Sequence, residues 1–244
     1  IRYAITWHFP PRPSDGEAPK PRRVRPKVTR VADALSLVHE PEAPIAVFPT
    51  PKSIELDAGY VLLPADAPTG SEVPAIAAAA QRELAERWSA LRRPGRGARA
   101  DLFADAAACG RVRFVAVEAG DSWDFPAEGY ELLVSAKELV LRAADEAGHR
   151  HATRTLVQLA IPLADGRLAV RRVRIRDWPA LPFRGVHFFT GGGGPGIHER
   201  LLRDVVAMLK LNHAVIEAEY VRWDGHENIH HPRYGMSKAD AARV

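Results

Sequence analysis

A single cysteine, Cys109, stands in 244 residues, which excludes an internal disulfide and a multi-cysteine zinc site and leaves an inert thiol as the reading. No apolar run approaches the roughly 18 residues that a membrane helix needs, so no membrane span is expected. Lysine is scarce, 6 residues against 28 arginines, and these cations are scattered over a chain whose net charge is only +4. Without a basic arm or stripe, no nucleic-acid partner is expected. The start at Ile1 lacks a charged segment followed by an apolar stretch and a small-residue cleavage site, so the residues leave the compartment unknown. What the chain does have is apolar material, 46% of its residues, enough for one large domain or two modest ones.

Residues 1–44 hold 8 of the 20 prolines, interleaved with Arg22, Arg23, Arg25 and Arg30, and read as a leader or linker. Within it, Ile1 to Phe9 has strand character and Val31 to Val38 helical character. Order is expected from Ile45, with a strand over Ser53 to Leu63 interrupted by Gly59, then a helix over Val73 to Leu91 that opens at Pro74. Strands follow at Arg111 to Glu118, Tyr130 to Ser135 and Glu138 to Ala144, the last two spaced as a hairpin. A helix over Gly148 to Ala160 and a strand over Leu168 to Arg176 complete an α+β domain, predicted as an antiparallel sheet with helices on one face.

The last 66 residues change character. Phe183 to Thr190 reads as a strand, Ile197 to Leu209 as a helix closed by Asn212, His213 to Tyr220 as a second strand, and Ser237 as the cap of another helix. Such β/α units imply parallel strands. Two parallel strands with one crossover helix cannot bury both faces of their sheet, and a closed (β/α)8 barrel takes about 250 residues. The expectation is therefore a truncated (β/α)8 TIM barrel, part of a longer protein.

Candidate chemistry sits in this second part. The loop Gly191 to Gly194 lies where backbone N–H groups approach an anion, but it lacks the spacing of a P-loop or a dinucleotide fingerprint, and a flexible loop is the plainer reading. Six of the ten histidines lie after residue 180, yet no HExxH or other ligand spacing appears; neither a metal nor a cofactor is expected. On the second strand Ala214, Ile216, Ala218 and Tyr220 alternate with Val215, Glu217 and Glu219, which turns both carboxylates toward a barrel axis. Buried there they need a partner: either an internal salt bridge, with Arg184 as the candidate, or the hydroxyls of a polyhydroxylated ligand. Trp223 either stacks on a sugar ring or packs in its own loop.

Phe48-Pro49-Thr50-Pro51, the run from Glu128-Gly129-Tyr130 through Gly148 to Thr155-Leu156-Val157-Gln158-Leu159, and Asp177-Trp178-Pro179 followed by Phe183-Arg184-Gly185 together resemble glycoside hydrolase family 20, the β-N-acetylhexosaminidases. Met208-Leu209-Lys210-Leu211-Asn212 and Ser237-Lys238-Ala239-Asp240 resemble the end of that family's first barrel helix and the start of its second. The resemblance covers about residues 45–244. It implies a non-catalytic α+β domain over 45–178 and the start of the catalytic barrel over 179–244. The implied activity is hydrolysis of terminal N-acetylhexosamine, with the substrate's acetamido oxygen as nucleophile and an Asp-Glu pair assisting. That pair belongs after the fourth barrel strand, so no catalytic residue is expected in this chain, and the segment alone is expected to be inactive. Arg184 matches the family's sugar-binding arginine, whose planar fork suits adjacent hydroxyls. The partner implied is a carbohydrate, and the resemblance alone implies a secreted or periplasmic location.

The chain departs from the family pattern twice. Phe189-Thr190 and the glycine run replace an Asp and an Arg-His pair, and Val215-Ile216-Glu217 replaces a His-Trp-His stretch. The alternatives to a hexosaminidase are a related barrel glycosidase with another sugar specificity, and a non-catalytic carbohydrate-binding or scaffold protein of the same architecture.

Overall fold

A computed structural model of the chain describes residues 45, 47–63, 73–92, 97–109, 111–118, 120–188, 195–217, 221–226, 228, 231 and 235–243, all within the compact unit His39–Val244. The leader 1–44, the loop 189–194 and the segment 218–220 with Glu219 lie outside the described residues.

Alternation of apolar and charged residues builds the main sheet. Strand β1 (Ser53–Leu63) is followed by a 3-10 turn at Ala75–Ala77, helix α1 (Ala78–Leu91) and the short β2 (Ala107–Ala108). Then come β3 (Val112–Ala116), β4 (Tyr130–Val134), β5 (Leu139–Ala143), helix α2 (Glu146–Leu159), β6 (Ala160–Pro162) and β7 (Leu168–Asp177). The strand order is β2-β1-β7-β4-β5-β3, with β6 also paired to β7. One face carries Leu132, Leu139, Leu141, Val173 and Ile175 against Ala80, Leu84 and Trp88 of α1 and Ala152, Leu156 and Leu159 of α2. The other face carries charged pairs, among them Arg174 and Arg176 with Glu131 and Arg113 with Glu138. This is the α+β class expected, with helices on one face.

The sheet is not wholly antiparallel: β3 joins β5, and β2 joins β1, in parallel. The β4–β5 hairpin formed as its spacing predicts, but β3 is separated from it by a long loop and arrives in the other direction. Gly59 (φ 89°) sits in the irregularity of β1 between Leu56 and Tyr60, as a glycine within a strand suggests.

Helix α2 begins earlier than its apolar stripe indicates, because Asp145 caps it: Oδ1 accepts the Gly148 N–H at 2.7 Å. Gly148 is required by contact rather than by conformation. A Cβ there would lie 2.4 Å from the Gly129 carbonyl oxygen and 2.9 Å from Ala143 Cβ, so only glycine lets this helix lie directly on β4 and β5.

Beyond β7 the chain forms β8 (Gly185–Phe188), helix α3 (Pro195–Leu201, continued by a π-turn over Leu202–Val206) and β9 (His213–Ile216). Strands β8 and β9 pair in parallel, His187 opposite Val215. Strands β10 (Val221–Arg222) and β11 (Met236–Ser237) form a second parallel pair before helix α4 (Lys238–Arg243), whose Asp240 N–H is accepted by Ser237 Oγ at 3.0 Å, as the capping pattern predicts.

Asn212 does not close α3. Leu211 N–H reaches the Val206 carbonyl (3.1 Å) and Lys210 N–H the Ala207 carbonyl (3.0 Å), with Lys210 at φ 58°. That is a Schellman ending with lysine where glycine is usual. The left-handed backbone costs a side chain roughly 1–2 kcal/mol, so something must hold Lys210 in place.

Candidate functional site: the joint and the open strand face

What holds Lys210 is a cavity of about 250 Å³ between the main sheet and the β8–α3–β9 unit, lined by Glu128, Tyr130, His151, Asp177, Arg184 and Lys210 among others. The Lys210 ammonium is buried and donates to Asp177 Oδ2 and to Tyr130 Oη, each at 2.7 Å. It also lies 4.8 Å from the Tyr130 ring centroid. Asp177 accepts further from Lys52 N–H (3.2 Å) and Tyr130 O–H (3.2 Å), and Tyr130 Oη and Thr155 Oγ1 lie 2.6 Å apart. Burial pulls the Lys210 amine below its ordinary value while Asp177 opposes the shift. Burial beside the Asp177 carboxylate raises the Tyr130 phenol, so it remains a neutral donor.

A second cluster shares the wall. Glu128, at φ 64°, has its backbone N–H held by Asp145 Oδ2 at 2.7 Å. Its carboxylate pairs with Arg184 and accepts from His151 Nε2 at 2.9 Å. Burial opposes that charge, but His151 and Arg184 together hold the Glu128 carboxyl below its ordinary value. Arg184 Nε donates to the Lys210 carbonyl (2.8 Å) and its Nη1 to the Leu181 carbonyl (2.7 Å). Asn212 works on the backbone: its Oδ1 accepts the Arg184 N–H at 2.9 Å, and its Nδ2 donates to the Pro182 carbonyl at 2.8 Å. Gln158 completes the joint by exchanging two 2.8 Å hydrogen bonds with the Phe48 backbone and reaching the Met208 carbonyl at 3.4 Å.

The cavity is below the roughly 300–1,000 Å³ usual for ligand sites, and its charged groups are spent on one another. It is a joint. A larger groove of about 930 Å³ between α1, α2 and α3 is likewise occupied by its own charges, with Glu83 accepting from Arg87 and Arg154 and Arg87 donating to the Arg203 carbonyl.

A salt bridge between Arg184 and Glu217 is not what forms. Arg184 stands just before β8 and takes Glu128; Glu217, just beyond β9, instead lies with its Oε1 3.1 Å from His187 Nε2. The sequence offered no long-range signal for Glu128, because a lone glutamate in a loop is indistinguishable from a solvated one. Facing is settled by α3: Phe188 stacks on its His198, centroids 5.4 Å apart. His187, Val215 and Glu217 therefore share the face away from the helix, as the alternation predicts for Glu217. Glu219 lies outside the described residues. Trp223 is exposed. Among the described residues no group of three or more metal-ligating side chains occurs, and no helix is long and apolar enough to cross a membrane.

Residues 44–178 match the model of glycosyl hydrolase family 20, domain 2, more than half of the chain. The chain belongs to glycosyl hydrolase family 20. Solved family-20 structures share its fold. The β-N-acetylhexosaminidase of Streptomyces coelicolor A3(2) superposes with a TM-score of 0.58 at 19% identity over 81% of this chain and 42% of its own. That of Bacteroides fragilis gives 0.57 at 19% identity over 82% and 42%. The exo-β-N-acetylglucosaminidase of Vibrio harveyi, in complex with N-acetylglucosamine, gives 0.55 at 20% identity over 71% and 26%. The chain thus spans between 26% and 42% of the length of these family-20 proteins.

Proposed function

We propose that residues 45–178 are a non-catalytic supporting domain, preceded by a leader or linker over 1–44, and that residues 179–244 open a (β/α)8 sugar-cleaving barrel. The whole protein is then an exo-acting glycoside hydrolase that removes terminal N-acetylhexosamine, the substrate's acetamido oxygen acting as nucleophile and an Asp-Glu pair downstream of this segment assisting. The observation that carries the reading is the parallel β8–α3–β9 unit directly following a family-20 domain, with the strand face away from α3 carrying Glu217.

In a (β/α)8 barrel the chemistry stands at the C-terminal ends of the strands and the opposite end serves stability. Glu217 is at the C-terminal end and is assigned to the sugar, with Glu219 joining it on sequence alternation alone. Arg184 is at the N-terminal end with three protein acceptors. It keeps further N–H donors, but this reading gives it first the task of fixing where β8 begins.

The test uses the intact gene product on an aryl N-acetyl-β-glucosaminide and on its trifluoroacetamido analogue. Hydrolysis of the first, with kcat/KM at least about tenfold lower for the second because the fluorines weaken the internal nucleophile, is expected. Sugar binding without turnover would overturn it in favour of a non-catalytic carbohydrate-binding protein.

A further inference from the structure

On the strand face away from α3, His187 and Glu217 form a pair that the joint does not use. Their N···O separation is 3.1 Å, with the side chains 51% and 34% exposed. They come from adjacent parallel strands at the C-terminal end, held in register by His187 opposite Val215 and Phe188 opposite Ile216. Val215, on the same face, is 50% exposed, so this face presents an apolar step beside a polar pair.

We infer that His187 and Glu217 act together as a sugar-recognition pair that sets the specificity of this chain, with Glu217 accepting hydroxyl donors and His187 holding its carboxylate in place. This rests on the proposed barrel reading, since it requires the face to look into a substrate pocket. The chemistry is direct. A carboxylate offers about four lone-pair sites, so one N–H from His187 leaves acceptor capacity for two neighbouring hydroxyls of a pyranose. A charged acceptor makes hydrogen bonds roughly twice as strong as neutral ones. The imidazole fixes the carboxylate rotamer before the ligand arrives, which reduces the ordering cost on binding. The apolar Val215 suits the C–H face of the same ring.

The experiment uses the intact gene product, wild type and the variants Glu217→Gln, His187→Ala and, as a control on an exposed residue of β10, Arg222→Ala. Binding of N-acetylglucosamine is followed by NMR titration, and turnover by the aryl glycoside. We expect Glu217→Gln and His187→Ala to raise the sugar Kd and KM about tenfold or more, with kcat changed less and Tm unchanged, and Arg222→Ala to match wild type. Wild-type binding that both pair variants retain within twofold overturns the inference, whether or not turnover occurs. Wild-type binding lost in the pair variants, without any turnover, upholds the inference and overturns the hydrolase reading. A wild type that neither binds nor cleaves overturns both.

Discussion

Two histidines of α2 carry an acid sensitivity that the neighbouring carboxylates, Asp145 and Glu128, only partly relieve. His149 is fully buried beside Phe114, and neither ring nitrogen has a hydrogen-bond partner among the described residues. His151 donates Nε2–H to Glu128, which leaves Nδ1 without one. Burial lowers both imidazoles from 6.5 to about 4. Between those values the unfolded chain binds protons that the folded chain refuses, so stability falls as pH drops from about 6.5 to about 4, and below that these two groups cost nothing further. At 1.36 kcal/mol per unit the two shifts correspond to about 3 kcal/mol each. Replacing His149 by Phe removes one of the titrations and two unsatisfied buried atoms, and its ring keeps the contact with Phe114. Denaturant unfolding of the 244-residue chain at pH 7 and pH 4.5 is expected to show His149→Phe at least as stable as wild type at pH 7, with about half the acid loss. An unchanged pH slope would move the sensitivity elsewhere.

At the scale of elements, the helices and strands of the main sheet were legible because alternation and the 3.6-residue stripe are local signals. What was not legible is what locks them together. The parallel arrival of β3, the partner of Arg184 and the ending of α3 at Lys210 all depend on residues tens of positions away. The residues that carry the family resemblance, Glu128, Tyr130, Gly148, Thr155, Gln158, Asp177, Arg184, Lys210 and Asn212, are nearly all members of the joint. In this chain the motif therefore records how the main sheet grips the β8–α3–β9 unit. Lys210 tests this most sharply. Removing one member of a buried ion pair costs about 3–5 kcal/mol, whereas removing both charges together is often close to neutral. Lys210→Met is expected to destabilise by that order and to raise amide exchange in β8 and β9 more than in β4 and β5. Lys210→Met combined with Asp177→Asn is expected to recover most of the loss. Equal exchange across both sets of strands would show that Lys210 does not dock the unit.

For the whole molecule, the main sheet and the β8–α3–β9 unit differ in how completely they are covered. The main sheet buries one face under two helices and covers the other with ion pairs. The β8–β9 pair has no further strand on either edge among the described residues, and Leu181, Phe183, Ile197, Val205, Leu209 and Val215 are exposed around it. Parallel sheets are stable when both faces are buried, and free strand edges are templates for pairing with another chain. The net charge of +4 is a weak barrier to such contact. These 244 residues expressed alone are therefore expected to fold at the main sheet yet self-associate through β8 and β9, without hexosaminidase activity. Sedimentation velocity should show mass rising with concentration, and Val215→Lys, which places a charge on the open face, should shift it toward monomer while leaving the main-sheet circular dichroism unchanged. A protein that stays monomeric over the accessible concentrations would show that these strands are already covered, and cleavage of an aryl N-acetylglucosaminide by these residues alone would overturn the expectation that they are inactive.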